Sequence, residues 1–551
     1  MTRLSAATVA ARRGKPVDEV IGRDFMNWKP VELTVPQRHD LIDLWTTLMN
    51  DVYVHYSQKR ALYGFDPIRA LCALRRQIPF LDSTGFLREL TLLINRLRDQ
   101  HTQLYVRAAD GSLDGYAATL PFLVEVCGPY LDPTYVVTKI SETLDPTFTV
   151  GVEVTSWNGV PFRRTVDLFA ETLTGGRPDA SRARALEVLT QRPLEFLPLP
   201  DEAWVEIGYR SEPPGATEHS IRLEWRLVAP GDTLVADDPL SARTRKGINA
   251  TSEAARRARK LLFATELWQH DRTKKTPAAK APEWLETTLP DAVSARTLRT
   301  PSGTVGYLRV WTFDVANTKQ FVDEVARLLD ALPRRRLIID LRSNPGGYIE
   351  TAEALLQLFT ANAVQPARFA CRATPTMATI AEADGNGPDL ADWADSTRAA
   401  VNLGEEYSQH LAFTDPETAG QIEQRYRGRV VAIVDANTFS CGDLFTAGLV
   451  DHNIATIVAI GEATGAGGAN VWDSDAVAYA FHAARQPLPE LPQGVSYSIA
   501  VRRMTRTGAS DGRAIEDVGV NGDEQYTMTR TDLLESNSDL IAFCGGLLAR
   551  G

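Results

Sequence analysis

The second half of the chain alternates apolar runs with amphipathic stretches, and this alternation limits the fold more than any other feature. From Gly306 onward, VGYLRVWTF and RRLIIDLR read as strands and TAEALLQLF as a helix. VVAIVDA is another strand, CGDLFTAGLVDH a helix and IATIVAIG a further strand. Strands that alternate with helices pack as a mostly parallel sheet, with any reactive edge at the strand C-termini. The chain has 551 residues, too many for a single core, so several domains are expected. Residues 36–106 read as helical. Leu41, Leu44 and Leu48 recur at helical spacing, and Leu87, Leu90, Leu93, Ile94 and Leu97 share a second face. Residues 120–228 turn β-rich in YVVTKI, FTVGVEVTSWNG and HSIRLEWRLV, with Asn158-Gly159 as a turn signal. Within them, DASRARALEVLTQRP reads as a helix. These shifts divide the chain into an α/β fold of four parts: a helical region 1–118, a β-rich module 119–229, a basic insertion 230–300 and an α/β domain 301–551.

Composition removes several function classes. Apolar residues make up 44% and charged residues 23%, ordinary values for a globular chain. The net charge of -11 argues against bulk nucleic-acid binding. No apolar run reaches the eighteen or so residues of a membrane span. The opening MTRLSAATVAARRGKP is a poor secretory signal, so a cytoplasmic location is expected. Five cysteines, Cys72, Cys127, Cys371, Cys441 and Cys544, show no metal-binding spacing, and the eight histidines show no HExxH. No P-loop and no GxGxxG after a strand are present, so neither metal nor cofactor is expected. Charge is unevenly spread. Residues 241–280 hold eleven Lys/Arg and three acids, net +8, which leaves -11 - 8 = -19 on the rest. GINATSEAARRARKLLFATELWQ reads there as a helix and DRTKKTPAAKAPE as an exposed linker. A basic segment between two domains could lie across the acidic remainder, cover a cleft and be released by cleavage within Arg272–Lys280.

Two segments carry chemistry. In Leu337-Ile-Ile-Asp-Leu-Arg-Ser-Asn-Pro-Gly-Gly347 a buried strand runs into a tight turn, whose glycines leave backbone N–H groups open to developing negative charge. In Val430-Val-Ala-Ile-Val-Asp-Ala-Asn-Thr-Phe-Ser440 a second strand ends in a serine that opens a helix. That serine is either an N-cap or a nucleophile in the positive field of the helix N-terminus, where the Cys441 N–H would join the turn.

Together these segments resemble the tail-specific/tricorn serine peptidases, family S41, whose catalytic domain has a ClpP/crotonase-like fold. The resemblance rests on Asp340-Leu341-Arg342-Ser343-Asn344-Pro345-Gly346-Gly347, on Ser440, on Gly461-Glu462-Ala463-Thr464-Gly465 and on Ile515-Glu516-Asp517-Val518-Gly519-Val520-Asn521-Gly522-Asp523. It covers roughly residues 40–230 and 300–540. It implies that residues 120–228, with Trp157-Asn158-Gly159, form a PDZ-like module, and that Gly346, Gly347 and Cys441 make an oxyanion hole. One branch of the family takes its base from a lysine after the serine. The last lysine here is Lys319, so that arrangement is excluded. The other branch, which includes tricorn and the chlamydial-protease-like members, uses an Asp-x-His-Thr histidine, matched by Asp99-Gln100-His101-Thr102, and a late glutamate, matched by Glu516. The implied roles are Ser440 nucleophile, His101 base and Glu516 orienter. Glu524 is the alternative glutamate and His452 the alternative base. The expected activity is endopeptidase cleavage of unfolded or flexible polypeptides, with no nucleic-acid or membrane partner and homo-oligomerisation left open. A non-catalytic binding relative and a hydrolase of small esters or amides stay as alternatives. The stretch from Ala373 to Glu417 is a candidate lid.

Overall fold

The computed structural model describes residues 15–16, 31–107, 115–142, 144–211, 216–228, 244–263, 284–383, 389–415 and 422–550. Residues 1–14 and the expected cleavage window at Arg272–Lys280 lie outside these residues. Helices α1 (Val35–Thr47), α2 (Tyr56–Tyr63), α3 (Pro67–Gln77) and α4 (Ser83–Asn95) come first. Thr34 caps α1 with Gln37 in a reciprocal pair, and Asp82 caps α4 by accepting from Gly85 N at 2.7 Å. The apolar face of α4 is buried through Phe86, Leu87, Leu90, Leu93 and Ile94. The helical stretch ends sooner than its periodicity suggests, because β1 (Gln103–Val106) is a strand.

The β-rich module follows. Strands β2 (Phe122–Cys127), β3 (Thr134–Ile140) and β4 (Glu153–Trp157) precede helices α5 (Phe162–Thr172) and α6 (Pro178–Leu189), and β5 (Trp204–Arg210) and β6 (Glu218–Glu224) follow. The sheet order is β6-β5-β4-β3-β2, all antiparallel. Asn158 and Gly159 both take positive φ, and Trp157 pairs with Val160 across them, as a two-residue hairpin of this twist requires. The module has its own core, built on Phe122, Phe148, Trp157, Phe162, Tyr209 and Trp225.

In the basic insertion, three residues form a strand, β7 (Lys246–Ile248), where the composition suggests helix. Helix α7 (Ala250–Phe263) starts only after Asn249, whose side chain accepts from Ser252 N at 3.1 Å. Asn249 is fully buried.

The main sheet has the order β8 (Val293–Thr300), β9 (Gly303–Val310), β10 (Arg336–Asp340), β13 (Arg429–Asp435), β14 (Ala455–Ile460) and β17 (Glu524–Tyr526). Strands β9 to β17 run parallel and β8 is antiparallel at the edge. Residues Leu337–Asp340 of β10 are buried throughout, as expected of a strand covered on both faces. Between β10 and β13 lie β11 (Gly346–Tyr348), α9 (Ile349–Gln357), β12 (Arg368–Cys371), α10 (Pro375–Ala383) and α11 (Ala394–Leu403). The last two helices belong to the candidate lid, where the buried Trp393 donates to Phe369 O at 2.7 Å. Helix α12 (Cys441–Asp451) follows β13. A second sheet joins β12, β16 (Val495–Thr505) and β1, with β15 (Ala469–Asp473) paired to β16. Through β1, the N-terminal region is hydrogen-bonded into the C-terminal half.

Candidate active site

Ser440 stands between β13 and α12 at φ 60° and ψ -115°, a conformation that L-residues rarely adopt. Asp443 is the anchor of this turn. Its buried carboxylate accepts from Ser440 N at 2.7 Å, from Ala466 N and Gly467 N at 3.0 Å each, and from Thr464 Oγ1. Burial pushes it up to about 6 against these hydrogen bonds. Thr464 of the Gly-Glu-Ala-Thr-Gly segment therefore acts structurally. So does Asp340 of Asp-Leu-Arg. Although burial opposes its charge, Arg309 at 2.8 Å and Arg342 at 2.6 Å hold its carboxyl well below the usual range. Asn344 ties the glycine turn to the nucleophile turn, accepting from Gly346 N at 2.9 Å through its side chain and from Phe439 N at 2.9 Å through its carbonyl.

His101 Nε2 lies 2.8 Å from Ser440 Oγ, a contact across 339 residues of sequence. The strand that follows explains the reach. β1 pairs with β16, and Thr102 Oγ1 accepts from Ala500 N at 3.1 Å. The imidazole is fully buried and rests on Phe439 with ring centroids 4.7 Å apart. Asp99 turns the backbone under it, accepting from His101 N at 2.8 Å and Thr102 Oγ1 at 3.0 Å. Burial lowers His101 to about 4, with Asp99 opposing, so the ring is neutral at physiological pH and can accept a proton.

Glu516 makes no hydrogen bond to His101. Its carboxylate meets Lys59 Nζ at 2.5 Å and accepts from Gly468 N at 3.0 Å, and its Oε2 is 3.8 Å from His55 Nε2. His101 Nδ1 has no side-chain or backbone partner, and neither ring nitrogen of His55 has one. Lys59 is buried and also meets Asp517 Oδ1 at 2.7 Å and Arg98 O at 3.0 Å. Burial alone would lower the lysine, but Glu516, Asp517 and Asp99 outweigh it and hold the ammonium above its ordinary value. Burial, with repulsion from Asp99 and Asp517, raises Glu516, because one lysine faces three carboxylates. Burial also lowers His55 to about 3. Among the described residues, His55, Asp99 and Glu516 are the one group with ligand atoms close enough for a metal, within 4.8 Å. The Lys59 ammonium supplies positive charge there and already engages the Glu516 carboxylate. Glu524 sits on edge strand β17 beside Val458. His452 caps α12 and accepts from Gln365 N at 3.3 Å, away from Ser440.

The glycine turn is occupied. β7 of the basic insertion pairs antiparallel with β11, Gly247 against Gly347. Asn249 N donates to Pro345 O at 2.8 Å and Ile349 N to Arg245 O at 3.2 Å. By the alternation of such ladders, Gly247 and Gly347 exchange hydrogen bonds between these two. A methyl group on Gly247 would lie 2.7 Å from Ser440 Oγ, so only glycine passes this close. A methyl group on Gly346 would lie 2.2 Å from Gly247 O, 2.9 Å from Ser440 Cβ and 3.0 Å from Cys441 N. These three atoms converge on one point. Ser440 is 1% exposed as a result. Gly346 N is already bonded to Asn344, which leaves Gly347 and Cys441 as the amides that face this point. Burial raises the Cys441 thiol well above its ordinary value, so it is no thiolate nucleophile.

Comparisons with known proteins bear on this geometry. The sequence model of peptidase family S41 matches residues 304–524. A comparison with curated proteins finds no match. Among solved structures, mature CPAF is similar with a TM-score of 0.64 at 16% identity, over 94% of this chain and 97% of that one. Mature CPAF complexed with lactacystin gives 0.63 at 16% identity, over 94% and 98%. At that identity the structures speak for a shared mixed α/β fold, and the family match speaks for the chemistry. That match spans β10 with its glycine turn, the strand-to-helix turn at Ser440 and the Glu516 segment, and by it residues 304–524 are a serine-peptidase region of family S41.

Proposed function

We propose that the chain is an endopeptidase for unfolded or flexible polypeptides, with Ser440, His101 and Glu516 as its working groups. The observation that carries this reading is the 2.8 Å contact of His101 Nε2 with Ser440 Oγ. In acylation, Ser440 Oγ bonds to the scissile carbonyl carbon, and its proton passes to His101 Nε2. The N–H groups of Gly347 and Cys441 receive the oxyanion. The C–N bond then breaks, and the proton passes from His101 to the leaving amine. Water repeats the sequence to free the acyl group. Asp99 supplies the negative charge that favours the imidazolium once it forms, and Glu516 acts from beyond hydrogen-bonding distance, through its contacts with Lys59 and Gly468 N.

The four-part division at 118, 229 and 300 is part of the same reading. The antiparallel sheet and helices of 119–229 are suited to a PDZ-like role, with an extended peptide adding as a strand at an exposed edge such as β6. The basic insertion acts as a cover, and the described form is the closed one. Its support is β7, seated on the glycine turn and against Ser440.

The test compares wild type and Ser440→Ala on unfolded casein and on a small ester, with the intact chains followed by mass spectrometry. The reading expects Ser440-dependent cutting of casein, and cutting within the insertion that precedes the rise in activity. Ester turnover without casein cleavage would favour the small-molecule hydrolase. Binding without turnover by either protein would favour the non-catalytic relative.

A further inference from the structure

The strand that covers the nucleophile also marks out a place for substrate. The carbonyl oxygen of Gly247 lies where Ser440 Cβ and Cys441 N converge, in front of Gly346. Gly247 thus takes the position of the residue whose carbonyl would be attacked. Lys246 is the residue before it, and its side chain does not point to solvent. Its Nζ meets Asp314 Oδ1 at 3.0 Å and lies 4.4 Å from the centre of the Tyr348 ring. Lysine and Asp314 are each 18% exposed. The carboxylate and the ring face are both built into the turn. Tyr348 ends β11, Tyr348 N donates to Phe313 O at 3.1 Å, and Asp314 follows Phe313 directly. Asp314 N donates to Thr312 Oγ1 at 3.0 Å.

The cations that meet Asp314 belong to the insertion itself. Lys246 takes Oδ1, and Arg257 Nη2 of α7 takes Oδ2 at 3.2 Å. When a substrate strand replaces β7, the carboxylate loses its lysine while the aromatic face stays beside it. A carboxylate next to an exposed ring face is a recognition surface for an ammonium or guanidinium group.

We propose that Asp314 and Tyr348 form a substrate subsite for a lysine or arginine side chain, placed one residue before the residue whose carbonyl is attacked. The inference rests on the peptidase reading above and adds the class of peptide that it takes. Basic sequences would then be cut in preference to neutral ones, and the insertion would hold its place because it carries the same residue as a good substrate.

The test maps cleavage sites in unfolded casein by mass spectrometry for the full-length wild type, Lys246→Ala, Asp314→Asn and Asp314→Glu. It then measures kcat/KM on paired peptides with Lys or Ala at the subsite position. Wild type and Lys246→Ala should favour the Lys peptide by on the order of tenfold, the usual size of one partly buried charge contact. Asp314→Asn should flatten that ratio and Asp314→Glu should restore most of it, a rescue that mere loss of packing would not give. Cutting without a basic preference, or a ratio unchanged in Asp314→Asn, would overturn the subsite and leave the peptidase reading standing. Absence of Ser440-dependent cutting in both wild type and Lys246→Ala would instead remove the peptidase reading, and the subsite with it.

Discussion

The β-rich module and the junction around Ser440 are both buried, yet they are held together by opposite means. The module packs Phe122, Phe148, Trp157, Phe162, Tyr209 and Trp225 against one another, all contributed by residues 122–225. Its stability is apolar and comes from within one stretch of chain. The junction is built from residues hundreds of positions apart: His55, Lys59, Asp99 and His101 at one end, Ser440 and Glu516 at the other. Its buried groups are polar or charged. Burial of this kind adds little net stability, but losing any one partner leaves its neighbours uncompensated. The module is therefore expected to tolerate pH and to be sensitive only to loss of volume, while the junction responds to charge.

The largest difference should be in activity. His101→Ala is expected to lower casein turnover as far as loss of the nucleophile does, on the order of a millionfold. Phe122→Ala in the module should reduce stability by about 3–5 kcal/mol in urea unfolding. A His101→Ala enzyme with wild-type turnover would move the base elsewhere. Next in size is Lys59→Met. Removing the one cation from the cluster of Glu516, Asp517 and Asp99 should cost about 3–5 kcal/mol, as much as the aromatic truncation but by a different route. Loss of Lys59 should be partly relieved by adding Glu516→Gln, whereas no charge change would relieve Phe122→Ala. Additive effects in the Lys59→Met/Glu516→Gln double variant would show that the pair is not coupled.

The pH response sharpens the contrast. His55 and His101 are lowered to about 3 and 4 by burial, so the unfolded chain binds more protons than the folded one below about pH 6.5. Their contribution is present above that pH and is lost as pH falls toward 4. Glu516 is raised, so it works in the opposite sense, weakening the fold as pH rises from about 4.5 through its raised value. Protection at the junction should peak near pH 6.5 and fall by about 2–3 kcal/mol by pH 4.5, one net proton over that interval. Hydrogen exchange of peptides covering 53–63 and 99–104, compared with 152–157 and 205–210, measures this directly. A parallel fall in both sets would erase the distinction. The smallest effect is Glu516→Gln on turnover. Because Glu516 does not touch His101, a loss of roughly ten- to a hundredfold is expected, well short of His101→Ala. An equal loss would mean that the carboxylate moves into contact during catalysis.

The sequence made some parts of this architecture legible and hid others. The parallel strands β10, β13 and β14 announce themselves as apolar runs, since burial on both faces removes polar residues. Ser440 and the glycine turn follow from those strands, and His101 follows from the resemblance. Lys59 and His55 carried no signal, because the carboxylates they meet, Glu516 and Asp517, lie more than 450 residues away, and Lys59 is an ordinary position of α2 with His55 at its N-cap. Asp443 looked like an acidic residue in the first turn of a helix, a common and favourable placement. Only the folded turn turns it into the anchor of Ser440, Ala466 and Gly467. β7 was hidden because three residues are too short for a periodicity, and its pairing with β11 crosses 100 residues. The second sheet was missed for a similar reason: β1 looks like the end of a helical stretch until β16 pairs with it.

The coupling of Ser440 to His101 is the central claim about this site. Casein turnover should be measured for Ser440→Ala, His101→Ala and the double variant under identical conditions, with folding checked by circular dichroism. If His101 serves only to move the proton of Ser440, the two act as a unit, and the double variant should be within about twofold of either single one. If the two losses multiply instead, each residue acts independently, and the 2.8 Å contact between them is not the catalytic one.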